Sequence, residues 1–292
     1  MEKWKYYIEV LKMQETIKSY AKVNLGLHVV RKTKKGYHKL KMIMSLIDLY
    51  DEITFEECND VVVETNIHVC SMENNLCYKI AMYLRNKYKI SKGIKIFIKK
   101  NIPDGGGLGG GSSNAATVLK FLNEYWELKL SSKKLNKIGF KFGCDIPFFL
   151  SKGISMVSGY GEKVMPLCVQ EQNDKILLVF PNFRNSTKEV FDNFEGKSKN
   201  RNRTLLRGLY TLNYKKYIFN DLENTVNKIT NNAIQVIKEK IIKYPEVYPV
   251  MSGSGSTIIV YFENSEKIYE IKKGLEEKLP DCKIIVSNLK MN

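Results

Sequence analysis

Between Ile94 and Leu122 the chain runs from an alternating apolar stretch, Ile94-Lys95-Ile96-Phe97-Ile98, through Pro103-Asp104-Gly105-Gly106-Gly107-Leu108-Gly109-Gly110-Gly111-Ser112-Ser113 into a segment whose Ala115, Leu119 and Leu122 recur at helical spacing. Six glycines around one leucine leave a loop almost without side chains. Its backbone is free to take positive φ, to approach a ligand closely and to converge N–H groups on an anion. The loop opens into a helix N-terminus, where the dipole adds its own attraction for negative charge. A flexible linker would also be rich in glycine, but it would not be flanked by a strand and a patterned helix. No Gly-Lys-Ser/Thr closes the loop as in a Walker A sequence, and no acidic residue follows a strand as in a dinucleotide fold. The pattern therefore predicts strand, phosphate loop and helix, with a loop of a third kind.

The rest of the chain supplies the core such a unit needs. Its 292 residues are 43% apolar, enough for one large domain or two modest ones. No apolar run approaches the roughly 20 residues of a membrane helix, and Met1-Glu2-Lys3-Trp4-Lys5-Tyr6-Tyr7 lacks the apolar centre of a signal peptide. A cytoplasmic location with no membrane partner is the expectation. Six scattered cysteines, Cys58, Cys70, Cys77, Cys144, Cys168 and Cys282, show neither a C-x-x-C pair nor zinc spacing, so they are expected to be reduced and mostly buried. The formal charge of +16 means attraction to polyanions, nucleotide substrates among them, or simply a lysine-rich surface.

Residues 1 to 15 read as an extension or a short added helix. Strands are expected over 16–30 and 43–55, a helix over 75–88, a second helix over 132–142, and a final strand, helix and strand after Ser252-Gly253-Ser254-Gly255-Ser256. Pro147 argues against a helix at Ile146, so Gly143-Cys144-Asp145-Ile146-Pro147 reads as a loop. The polar stretch Glu171-Gln172-Asn173-Asp174 is the expected boundary between a part at 1–170 and a part at 171–292, each mixing helices and strands in an α+β arrangement.

Several residues have the chemistry of a site. In Tyr20-Ala21-Lys22-Val23-Asn24-Leu25-Gly26-Leu27-His28-Val29 a period of two puts Ala21, Val23, Leu25, Leu27 and Val29 on one face and Lys22, Asn24, Gly26 and His28 on the other, as in a site or in a sheet with a solvated outer face. Gly36-Tyr37-His38 offers an aromatic and a hydrogen-bonding ring for a flat heterocycle, or only turn punctuation. Asp145 fits a general base or a turn-stabilising carboxylate equally well.

In order and spacing, Ala21-Lys22-Val23-Asn24-Leu25, Gly36-Tyr37-His38, Pro103 to Ala116, Gly143-Cys144-Asp145-Ile146-Pro147 and Ser252-Gly253-Ser254-Gly255 resemble the motifs of the GHMP small-molecule kinases, with Gly36-Tyr37-His38 the marker of a branch acting on a cytidyl substrate. The resemblance spans about Ile17 to Phe262. It implies two parts flanking a cleft, the first resembling a ribosomal-protein domain, and transfer of the γ-phosphoryl group of ATP, with Mg²⁺, to the 2-hydroxyl of the methylerythritol portion of a cytidine-diphosphate sugar alcohol. By the same likeness Asp145 accepts the hydroxyl proton, and Lys22 holds that carboxylate ionised and stabilises developing charge. Residues Pro103, Asp104, Gly105, Gly106, Gly107, Leu108, Gly109, Gly110, Gly111, Ser112 and Ser113 would cradle the triphosphate, and Asn75 and Lys100 would line the adenosine side. Tyr37 and His38 would receive the cytosine, with Phe191 as the opposing aromatic and Asn24 and Thr187 beside the sugar alcohol or diphosphate. Direct metal ligands are not implied, and the protein would be a monomer or homodimer.

Two positions depart from the family pattern: Lys35 stands where an acidic residue is frequent, and Lys39 where glutamate is. Both add positive charge near a diphosphate substrate. Asp104, at the mouth of an anion loop, must point away from phosphate or reach a metal. Two other readings compete, a homoserine or mevalonate type of GHMP kinase and a nucleic-acid binder built on the charge and on Lys197 to Arg203. Gly36-Tyr37-His38 argues against the first, and the second leaves the glycine loop and Asp145 without a role.

Overall fold

The structure is a computed structural model that describes residues 14–33, 36–151, 153–170, 174–196 and 201–291. Two long strands, β1 (Gln14–Lys32) and β2 (His38–Glu56), pair antiparallel along their whole length, so what reads as an extension before residue 16 already begins β1 at Gln14. The turn between them is closed by the Thr33 N–H donating to the Tyr37 carbonyl at 2.7 Å. Beside β2 lie β4 (Ile94–Lys99) and β5 (Ser155–Gly159); β3 (Val61–Thr65) pairs parallel with β4, and β6 (Lys163–Pro166) antiparallel with β5.

In the second half β7 (Lys175–Phe180) stands between β10 (Ile258–Phe262) and β11 (Lys283–Lys290), with β9 (Val247–Met251) outside β10. The end of β11 reaches back to pair Leu289 and Lys290 with Ile47 and Leu46 of β2, so the two sets of strands join edge to edge. A two-residue strand, β8 (Phe219–Asn220), pairs parallel with Gly26 and Leu27 of β1.

Apolar clusters fill both faces of this sheet. Ile176, Leu178 and Phe180 of β7 enter one cluster while Leu177 and Val179 enter the other, which is why this strand is an unbroken apolar run. On one face lie α1 (Leu76–Tyr88), α2 (Gly110–Tyr125) and α3 (Ser132–Phe142), then α7 (Glu223–Ile229), α8 (Ala233–Ile241) and α9 (Ile268–Lys278). Ala115, Leu119 and Leu122 of α2 are all fully buried, as their spacing predicts. The other face is closed by α6 (Asn202–Tyr210) through Leu205 and Leu209. This mixed arrangement is the expected α+β class.

Three sequence expectations need correction. A short helix, α4 (Ile146–Leu150), forms where Pro147 argued for a loop. The proline sits in the first turn, where its missing N–H has no intrahelical partner to lose, and that outweighs its bias on Ile146. Next, Ala21 to Val29 is not one apolar face. A bulge between Asn24 and Gly26 shifts the phase, so Ala21, Val23 and Leu25 join one cluster and Leu27 and Val29 the other. His28 consequently leaves the face of Lys22 and Asn24 and hydrogen-bonds the Asp221 carboxylate at 3.0 Å. Finally, of the six cysteines, all free as expected, only Cys77 is buried; Cys70, Cys144 and Cys168 are exposed, because each lies in a loop.

Candidate active site

The bulge in β1 turns Lys22, Asn24 and Leu27 toward one cleft of about 820 Å³, and most of the residues singled out from the sequence converge on it. Lys22 is 4% exposed. Its ammonium donates to Asn24 Oδ1 and to the Gly107 carbonyl, both at 2.8 Å, and stands 3.8 Å from Asp145 Oδ2. Burial pushes the Lys22 pKa below its ordinary value, and the Asp145 charge opposes that shift. Asp145 occupies the N-cap position of α4 with its side chain about one third exposed, so its carboxylate faces Lys22 while remaining open to the cleft.

The glycine loop forms the floor. Gly105, Gly107 and Gly109 have φ of 72°, 73° and 70°, a left-handed conformation that disfavours side chains. A Cβ on Gly107 would lie 2.3 Å from the Ser252 carbonyl oxygen, so only glycine lets the loop touch the Ser252 to Ser256 turn. That turn is tied down in return: Asn220 Nδ2 donates to the carbonyls of Met251 and Gly253, both at 2.7 Å, and Ser252 Oγ donates to the Gly107 carbonyl at 3.2 Å. Gly109 caps α2, and Gly110, Gly111 and Ser112 bring its first turn to the cleft wall. The early N–H groups of a helix lack intrahelical acceptors, so this wall presents donors suited to phosphate.

Not every residue assigned to the nucleotide side faces it. Ser113, 3% exposed, is not in the cleft; its Oγ bonds Ser19 Oγ at 2.7 Å and the Tyr20 carbonyl at 2.6 Å, fixing α2 to β1. One residue further round the helix than Ser112, it points inward. Asn75 caps α1 by accepting from the Cys77 N–H at 2.9 Å, and its neighbour Leu76 is the residue that lines the cleft. Lys100 does line the cleft and is paired with Asp51. Pro103, Asp104, Gly106 and Leu108 line it as well, and Asp104 is paired at 3.4 Å with Arg184, which lines a separate pocket.

At the other end the wall is aromatic. Tyr37 is 68% exposed and meets Tyr160 edge to face with centroids 6.1 Å apart. His38 is buried against Phe191 at 5.4 Å and Phe194 at 6.0 Å, and its Nε2 has no hydrogen-bond partner among the described residues. Such an unpaired buried nitrogen is costly unless a ligand completes it. Burial and the Lys32 charge lower the His38 pKa, with Asp192 opposing, which favours a neutral ring. Phe191 and Thr187 belong to α5 (Thr187–Asp192); Thr187 Oγ1 bonds Ser254 Oγ at 2.8 Å, joining this wall to the glycine turn. At 5.4 Å His38 and Phe191 already touch, so no ring fits between them, and a flat ligand has Tyr37 and Tyr160 as its open aromatic surfaces. Tyr160 was not singled out from the sequence, although an aromatic held between glycines in Gly159-Tyr160-Gly161 is a local signal.

Four expectations cannot be placed fully. Lys35, the start of Lys197 to Arg203, the extension before residue 14 and the boundary residues Glu171 to Asn173 lie outside the described residues; Lys39 lies in β2 and is half-buried. From the basic segment, Arg201 stacks over Phe219 at 4.4 Å and ion-pairs with Asp221 at 3.7 Å, and α6 begins at the next residue. No helix among the described residues is long and apolar enough to cross a membrane.

The sequence profile of the GHMP kinases N terminal domain matches residues 75–153, which holds the glycine loop and Asp145. A 4-diphosphocytidyl-2-C-methyl-D-erythritol kinase of Clostridioides difficile (strain 630) is 38% identical over 284 residues, 94% of this chain and 95% of the relative. A protein of the same name from Alkaliphilus oremlandii (strain OhILAs) is 41% identical over 263 residues, 86% of this chain and 89% of its own. Among solved structures, a 4-(cytidine 5'-diphospho)-2C-methyl-D-erythritol kinase superposes with a TM-score of 0.80 at 24% identity, covering 95% of this chain and all (100%) of the other. The homoserine kinase of Cytophaga hutchinsonii superposes with a TM-score of 0.72 at 17% identity, covering 96% of each chain, so the two share a fold. Matched over nearly its whole length by relatives of this identity, the chain belongs to the GHMP kinase family, in the branch of the 4-diphosphocytidyl-2-C-methyl-D-erythritol kinases.

Proposed function

We propose that the chain transfers the γ-phosphoryl group of ATP to the 2-hydroxyl of 4-diphosphocytidyl-2-C-methyl-D-erythritol, with Asp145 as general base and Lys22 as the fixed cation beside it. The observation that carries this reading is the buried Lys22 ammonium standing 3.8 Å from Asp145 and donating to the Gly107 carbonyl of the glycine loop, so that base, cation and phosphate floor share one cleft. The hydroxyl proton passes to the Asp145 carboxylate as the oxygen bonds phosphorus and the bond to the β-phosphate bridging oxygen breaks, leaving ADP. Lys22 offsets the negative charge that gathers on the transferred group, and the loop N–H groups hold the phosphates in line; positioning and electrostatics carry most of such a transfer.

On this reading His38, neutral and lacking a partner at Nε2, bonds the edge of the cytosine while Tyr37 and Tyr160 offer it faces; Asn24 and Thr187 flank the diphosphate or sugar alcohol. Asn75 acts on the nucleotide side only through the start of α1, and Ser113 only through the placement of α2. Among the described residues no group of three or more His, Cys, Asp or Glu side chains forms a metal cage. A Mg²⁺ carried by the triphosphate needs only one or two protein oxygens, and Asp145 and Ser112, both on the cleft wall, are of that donor type. The ion supplies charge neutralisation on the phosphates when bound. The reading extends to a cytoplasmic enzyme without a nucleic-acid partner, a monomer or homodimer, divided near residues 171–174.

ADP release measured side by side with the cytidyl substrate, homoserine, mevalonate and phosphomevalonate tests the acceptor. The expected result is turnover on the first alone, reduced by roughly 10²–10⁴-fold in Asp145→Asn, the range of a general base. Turnover on homoserine or mevalonate instead, or a loss below tenfold in a folded Asp145→Asn, would overturn it.

A further inference from the structure

Asp51 belongs to none of the motifs above, yet its carboxylate accepts from four donors beside the cleft. It lies on β2 at 0% exposure. Its Oδ1 accepts from the backbone N–H groups of Asn101 at 2.7 Å and Ile102 at 2.8 Å. Its Oδ2 accepts from the Lys100 ammonium and from Asn114 Nδ2 at 2.9 Å. Those four donors come from two places: residues 100–102 are the entry to the glycine loop, and Asn114 is in the first turns of the helix that leaves it. Both ends of the loop are thus fastened to one carboxylate on β2. Asn114 also donates to Ser19 Oγ at 3.1 Å, which extends the fastening to β1, the strand of Lys22.

Between these ends the loop is held at its middle, where the Gly107 carbonyl accepts from Lys22 and Ser252 and the Leu108 carbonyl accepts from the Lys22 N–H at 3.0 Å. Its glycines carry no side chains, and three of them hold positive φ, so the spacing of its ends bears on its shape together with those mid-loop contacts. Lys100 matters in the same way: its ammonium stands 3.2 Å from where a Cβ on Gly110 would be, beside the helix N-terminus, and Asn114 Oδ1 accepts from it at 3.2 Å. An ammonium there adds positive charge to the phosphate floor, but only a buried anion keeps it in place without water.

We infer that Asp51 is the positioning residue of the phosphate loop: it sets the spacing between the loop's entry and the first turns of α2, and holds Lys100 beside the nucleotide's phosphates. This rests on the kinase reading proposed above. A residue that served only packing would, when altered, weaken stability and both substrates alike. A residue that shapes the phosphate floor affects the nucleotide alone.

Asp51→Asn is the direct test, since it keeps shape and one acceptor oxygen but sets an amide N–H₂ against donors. A tenfold or greater rise in KM for ATP is expected, with KM for the cytidyl substrate within twofold of the parent. Inorganic tripolyphosphate, titrated against the protein without turnover, should lose affinity by a similar factor, which places the defect at the phosphates. Should Asp51→Asn fail to fold, Asn114→Ala removes one of the four bonds and leaves the Lys100 pair; a threefold or greater rise in KM for ATP alone is expected from it. Equal rises in both KM values, or unchanged tripolyphosphate affinity, in whichever variant folds, would overturn the inference. Failure of the parent to release ADP on the cytidyl substrate would instead count against the kinase reading, while the tripolyphosphate comparison would still decide the role of Asp51.

Discussion

Lys22 is a cation held where burial disfavours cations, and that tension is measurable. Its pKa lies below the ordinary 10.5 because desolvation outweighs the attraction of Asp145. Two consequences run in opposite directions as pH rises through the lowered value toward 10.5. Under the proposed mechanism turnover falls, because the transfer uses the ammonium. Folding stability from this group rises, because in that window the unfolded lysine still binds a proton that the folded one has released. The pH profile of kcat should therefore descend on the alkaline side before 10.5 is reached. In Lys22→Arg, whose guanidinium stays protonated, the reduced kcat should stay level over the same range. An identical descending limb in both proteins would assign it to another group. In the sequence, Lys22 and Asp145 were legible as residue types of the right chemistry. Ser113 was misjudged because a string of polar residues at a helix start does not reveal which of them points inward.

The elements of the site are a loop, a helix N-terminus and a turn, and their contact explains the glycines. Gly107 and Gly111 look alike in the sequence and differ in the fold. A methyl at Gly107 would collide with the Ser252 carbonyl at 2.3 Å in a backbone with φ of 73°, whereas one at Gly111 would meet no atom within 4 Å. Gly107→Ala should cost about 1–3 kcal/mol, as overpacking in a well-filled site does. Gly111→Ala, in the first turn of α2, should leave the protein as stable or raise it by about 0.4–1 kcal/mol through a less flexible unfolded chain. Paired urea titrations check both, and equal midpoints would mean that the loop and the turn do not press on each other. A strand and a helix were legible here because β4 buries every second residue and α2 repeats apolar residues at helical spacing. The short helix α4 and the bulge at Asn24 were not, because each depends on a single residue's local geometry prevailing over the pattern around it.

At the scale of the whole molecule, charge and connectivity matter. With 47 basic against 31 acidic side chains the protein carries +16, and both proposed substrates are polyanions. A net field of this sign speeds encounter and is screened by salt within a Debye length of about 8 Å at physiological ionic strength. kcat/KM for ATP should fall several-fold as potassium chloride is raised to molar strength, with kcat changing less than twofold. A matching fall in kcat would place the effect in chemistry or release instead.

The return of β11 to β2 is the feature that makes one sheet of two halves, and no periodicity announces it, since Leu289 pairs with Ile47 across most of the chain.

By itself the sequence determined the glycine loop ahead of a helix, the α+β class and the candidates for the reacting groups, because glycine freedom, apolar period and side-chain chemistry are local properties of adjacent residues. Only the tertiary structure decided that Lys22 faces Asp145 across 3.8 Å, that Tyr160 joins Tyr37, and that a buried Asp51 fastens both ends of the loop. Those are relations between residues far apart along the chain, fixed by strand register, a bulge and packing on both faces of a sheet, and such distances are written in no single segment.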